Sequence, residues 1–145
     1  MPVSTAIVWL KTASAILMIG FGLMFAIAAY PPTSGVADLF VDLLFWPLDG
    51  AQSLAAPETR IILAIGGGIT AGWGVLVWQV ATHLMPSNPA MARHILIRSL
   101  LTWFVIDSTC SMIAEAPINV PANAGFLALF MWPLLRMERT EASAA

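Results

Sequence analysis

The sequence predicts an all-α fold: a four-helix transmembrane bundle with a short amphipathic interfacial helix between spans one and two. Three observations predict it. First, the chain is 59% apolar and only 10% charged, with mean hydropathy +0.86, whereas soluble domains carry about 25% charged residues. Second, four apolar runs reach or approach the roughly 20 residues that a helix needs to cross a hydrocarbon core about 30 Å thick. Third, the basic residues fall almost wholly on alternate connections between those runs, the pattern of the positive-inside rule.

The first span runs from about residue 13 to 30 and stops at Pro31-Pro32. Residues 36–48 are too few to span. Asp38, Asp42 and Asp49 recur at i, i+4 and i+11, which places them on one helical face. Phe40, Val41, Leu43, Leu44 and Trp46 fill much of the remainder, so the segment reads as a helix lying in the membrane surface. A loop folded over the outer end of the bundle is the alternative. The second span covers about 61–84 and ends at Pro86. The third covers about 95–114 and ends before Pro117. The fourth covers about 120–135 and is the shortest. It carries Pro121 in its first turn, where proline is tolerated, and Pro133 in its last, where a kink or early end is expected. No internal repeat is visible, and residues 1–145 read as one domain.

Lys11, Arg93, Arg98, Arg136 and Arg139 precede span one, join spans two and three, or follow span four; the opposite connections hold Arg60 alone, with Asp38, Asp42, Asp49, Glu58 and Glu115. Both termini are therefore expected in the cytoplasm. Trp9, Trp46, Trp78 and Trp132 fall near the expected interfaces, as aromatic-belt residues do. Lys11, the following apolar run and Ala26-Ile27-Ala28 also resemble a signal peptide, whose removal would leave three spans. The length of the run and the ten residues before Lys11 favour a retained span. The tail Glu141–Ala145 reads as a frayed polar end.

The composition also excludes classes of function. Six Lys plus Arg and a net charge of -2 leave no basic stripe for nucleic acid. Cys110 is the single cysteine, so no internal disulfide or zinc set is available. HExxH, GxSxG and P-loop motifs are absent, so nothing recommends an enzyme.

Two places attract attention as candidate sites. Asp107 falls inside an apolar run, and an ionisable group at that depth costs on the order of 2–3 kcal/mol unless it faces the bundle interior and finds partners. Ser111 and Glu115 continue its helical face at four-residue steps, and Asn119 and Asn123 sit four apart across the next connection. Asp107, Ser111, Glu115, Asn119 and Asn123 are thus expected to form a polar cluster between spans three and four. It serves either as a site for a small polar ligand or proton, or as structural glue, with Asn119 capping span four. His83 and His94, flanked by Gln79 and Arg98 one turn away, face each other at adjacent helix ends. Two such histidines are weak metal candidates and offer a haem-binding alternative; solvation, or contact with anionic headgroups, is the plainer reading. For packing, Gly67-xxx-Ala71 and Gly68-xxx-Gly72 are small-xxx-small pairs that admit another backbone, with Gly20 and Gly22 on span one as counterparts. The same glycines also suit a homo-oligomer contact.

Ala71-Gly72-Trp73-Gly74, the run Trp103 to Ser108, and Ala116-Pro117-Ile118-Asn119 with Asn123 resemble uncharacterised small four-span bacterial inner-membrane proteins. In size and layout the chain is similar to DoxX-like proteins. The resemblance implies a four-helix membrane fold in a bacterial inner membrane and carries no site residues. The expected function is a non-enzymatic multi-pass membrane protein: a small-molecule or lipid-binding protein, or an accessory subunit of a membrane complex. A small transporter or proton-relay component using Asp107, and a haem-bearing electron carrier through His83 and His94, are the alternatives.

Overall fold

The computed structural model describes residues 1–138. Arg139 and the tail Glu141–Ala145 lie outside the described residues. Within them the chain forms five helices and no strand: α1 (Val3–Ile27), α2 (Gly35–Leu44), α3 (Pro57–Leu84), α4 (Pro89–Ile113) and α5 (Asn119–Arg136). A single 3-10 turn, Pro31–Thr33, follows α1.

Three of these helices, α1, α3 and α4, are long and apolar enough to cross a membrane. The expected fourth span is a helix, α5, but it is not among those three. Its 18 residues reach about 27 Å at 1.5 Å per residue, and Asn119, Pro121 and Asn123 dilute its first turns. Nor does α5 end early at Pro133; it runs on to Arg136. A proline has no N–H for the carbonyl four residues back, and here the carbonyl is that of Leu129. The Trp9 indole Nε1–H donates to it at 2.8 Å, so the group that Pro133 orphans is satisfied from α1.

Helix α1 starts ten residues earlier than its apolar run implies. Lys11 does not stop it, because the side chain lays its ammonium 4.8 Å from the Trp78 ring centroid, a cation–π contact that keeps the charge off the apolar core. Prolines set two of the other starts: Pro57 and Pro89 each stand in the first turn, where the missing N–H is harmless. Asn88 caps α4, its side-chain oxygen accepting from the Met91 N–H at 3.0 Å.

The α1–α3 pair meets backbone to backbone, and glycine allows it. A Cβ on Gly22 would lie 2.4 Å from the Ala71 nitrogen, and one on Gly67 would lie 2.3 Å from the Ala26 nitrogen. Gly74 receives Met18 and Ile19 in the same way. The facing rows are therefore Met18, Gly22 and Ala26 against Gly67, Ala71 and Gly74. Gly68 and Gly72 are a correction to the sequence reading, since a Cβ on either would meet nothing within 4 Å. One residue is about 100° of helix rotation, so a face built on Gly67, Ala71 and Gly74 turns Gly68 and Gly72 away. Gly20 likewise stands off the contact, and Gly22 carries it. Alongside, the buried Ser14 hydroxyl donates to the Gly74 carbonyl. Ser14 opens a π-helical stretch, Ser14–Gly20, and a second one, Val80–Leu84, closes α3.

Contacting long helices run antiparallel. The start of α1 meets the end of α5, where the Met1 ammonium donates to the Arg136 carbonyl and stands 3.9 Å from the Glu138 carboxylate. Around this end lies the main core, which includes Leu10, Val77, Leu96, Leu100, Phe130 and Leu134.

Helix α2 differs from its expected form. It ends at Leu44 rather than near 48, so Asp49 is off the helix. Asp42 is 7% exposed, with both carboxylate oxygens accepting from the Gly50 N–H at 3.1 and 3.2 Å. The Asp42 face thus turns inward to hold the following turn, while Val36, Leu39 and Leu43 are exposed. Ala28, Ala37 and Leu54 pin the helix against the rest.

Candidate functional site

A pocket lies in the half of the molecule away from the termini. A cavity of about 460 Å³ opens there, and all five helices line it. That volume lies within the range of small-molecule sites. The walls are aromatic. α1 contributes Phe21 and Phe25, and α2 lays Phe40 across them, the three rings meeting edge to face at 4.8 to 5.6 Å between centroids. Opposite, Trp73 of α3, Trp103 of α4 and Phe126 of α5 form a second series, at 5.8 and 5.0 Å. Edge-to-face and tilted pairs at such spacings are the favourable arrangements for π-systems. Phe126 then stacks on the buried Phe130 at 4.9 Å, which closes the space against the core.

The floor is polar, and it is the Asp107 cluster. Asp107 is six residues from the end of α4, about 9 Å along the axis. Its Oδ1 accepts three hydrogen bonds: from Asn123 Nδ2 at 2.7 Å, Asn119 Nδ2 at 2.9 Å and the Ser111 hydroxyl at 3.2 Å. Asn119 Nδ2 also donates to Ser111 Oγ at 2.8 Å. Asn123, 7% exposed, also donates from Nδ2 to Ser108 Oγ at 3.4 Å. Asp107, Asn119 and Asn123 line the cavity.

The structure therefore brings Asp107, Ser111, Asn119 and Asn123 together. It does not bring Glu115. That residue is exposed and takes φ 60° in the turn after α4, where the Ala116 N–H reaches back to the Ser111 carbonyl at 2.9 Å. This is the wrap that closes a helix through a left-handed residue, and it swings Glu115 off the helical face that sequence spacing assigns to it. Asn119 does not cap α5 with its side chain; the amide is spent on Asp107 and Ser111. Ser108 is the member that sequence reasoning missed. It adjoins Asp107 in the chain, about 100° around the helix, but Asn123 is long enough to bridge the two.

His83 and His94 are both exposed. Among the described residues no group of three His, Cys, Asp or Glu side chains is placed to hold a metal. Cys110 is exposed as well. Arg60, in the first turn of α3, donates from Nε to the Ala29 carbonyl at 2.6 Å and so closes the end of α1.

The six aromatic rings are what the sequence concealed. Each reads as ordinary membrane-helix content, and nothing in its spacing on one helix announces a partner on another.

Compared with known proteins, the chain matches no family model, no curated protein and no solved structure.

Proposed function

We propose that this chain is a non-enzymatic multi-pass protein of a bacterial inner membrane, that its four longer helices form a bundle in the bilayer with both termini cytoplasmic, and that its cavity binds a small lipophilic molecule. The observation that carries the reading is the cavity itself. A partly open pocket of about 460 Å³ walled by aromatic rings, with Ile69 and Ala122 of its lining exposed, leaves those rings short of the dispersion contacts that a close-packed interior would make. A ligand with an apolar body restores them, and the polar floor fixes its orientation. α5 supports the bundle reading, being held along its length by Trp9, Asp107 and the chain's first residue. The basic residues gathered at the end where the termini meet support the cytoplasmic assignment.

The test is native mass spectrometry on protein extracted from membranes with its surrounding lipid. The wild type is expected to carry a bound mass beyond bulk lipid, and Ala122→Trp, which fills the cavity from α5, is expected to lose it. An identical set of bound masses on both proteins would overturn the proposal.

A further inference from the structure

We infer that the ligand of this cavity is a lipophilic ammonium cation: an amine that carries N–H donors on an apolar, ring-sized body. This deepens the reading above and rests on it. The argument is an account of donors and acceptors. The amide nitrogen of Asn119 already donates to Asp107 Oδ1 and Ser111 Oγ. That of Asn123 donates to Asp107 Oδ1 at 2.7 Å and, at the longer 3.4 Å, to Ser108 Oγ. The Thr70 hydroxyl donates to the Gly66 carbonyl, and the Trp73 indole N–H donates to Ser99 Oγ. What remains at the floor is mainly acceptors: the two amide oxygens and Asp107 Oδ2, since every hydrogen bond to Asp107 reaches Oδ1, against the one hydroxyl hydrogen of Ser108, whose oxygen accepts from Asn123. The donor left over in the lining is the neutral indole N–H of Trp103.

Charge points the same way. No Lys, Arg or His lines the cavity, and among the described residues no ion pair reaches Asp107. A carboxylate beside an aromatic-walled pocket attracts a counter-charge, and an ammonium group supplies it while giving N–H donors to the floor. The rings add attraction for a cation through their π faces. A ketone or quinone, which brings acceptors alone, leaves the floor oxygens unpaired. A carboxylic acid anion is repelled.

Three probes of one body and different heads test this: phenylbutylamine, phenylbutanol and phenylbutyrate at neutral pH, where the amine is protonated. Binding is read from tryptophan fluorescence, since Trp73 and Trp103 are in the wall. The amine is expected to bind at least about tenfold tighter than the alcohol, and the anion weakest. In Asp107→Asn the amine should lose its advantage and fall to within about twofold of the alcohol measured on the same variant. Ala122→Trp, or Thr70→Trp should the first fail to fold, should abolish all three. Equal binding of amine and alcohol, or a preference that survives Asp107→Asn, overturns the cation while leaving the cavity reading standing. No binding by any probe, or binding indifferent to the cavity-filling variants, overturns both.

Discussion

Two neighbouring glycines on α3 should respond to the same substitution with opposite sign. In Gly67→Ala the new methyl carbon would sit 2.3 Å from the Ala26 nitrogen and 2.5 Å from the Gly22 oxygen. Both are backbone atoms and cannot turn aside. Ordinary contact begins at 3.4 Å, so α1 and α3 must part by roughly 1 Å along their tightest stretch. Overpacking of this kind costs about 1–3 kcal/mol. The better helix propensity of alanine returns about 0.5–1 kcal/mol, which leaves a net loss of up to about 2.5 kcal/mol. In Gly68→Ala the methyl meets nothing within 4 Å, so the propensity gain alone remains and stability should hold or rise slightly. Gly22→Ala should behave like Gly67→Ala, and the double variant should lose less than the sum, because helices already parted accommodate the second methyl. The assay is reversible unfolding in mixed micelles at increasing denaturing-detergent fraction, followed by tryptophan fluorescence. Equal midpoints for Gly67→Ala and Gly68→Ala would refute the close α1–α3 approach.

Three further outcomes are expected. Asp107→Leu leaves the amides of Asn119 and Asn123 without their shared acceptor and should cost about 1–2 kcal/mol in the same assay, whereas Asp107→Asn keeps an oxygen at that place and should retain most of the stability; equal loss in both would argue against the hydrogen-bonded floor. Glu115→Gly removes a side chain from a left-handed position and should stabilise the protein by up to about 1 kcal/mol, which a matched thermal melt would detect. In a Cys110→Ser background, cysteines placed at Ser87 and at Glu115 should label with a membrane-impermeant maleimide from opposite sides, with Glu115 reached from outside in intact cells; labelling of both from one side would contradict the proposed topology.

The sequence displayed best what local chemistry controls. Prolines and Asn88 mark where helices start, because a missing N–H or a capping oxygen acts within one turn. The polar floor was visible as well: carboxamides and a carboxylate inside apolar runs have few ways to be satisfied, and four-residue spacing put them on facing sides. Charged residues misled where a side chain could travel. Lys11 reads as a boundary yet rests on Trp78, and Asp42 reads as solvated yet binds the Gly50 N–H. Glycines were ambiguous by nature. Gly67 and Gly68 are identical residues in one run, and only the rotation of α3 against α1 separates the one that packs from the one that does not. The aromatic walls lay furthest from view, since five separate helices supply the lining and apolar side chains in a membrane helix have no need to face inward.

The most direct test of the central claim is an experimental structure of the wild-type chain grown from a lipid mesophase. The account predicts non-protein density between Trp73, Trp103 and Phe126, with a donor at hydrogen-bond distance from Asp107 Oδ2. Rings collapsed into the space, with no room left between Phe40 and Trp103, would contradict it.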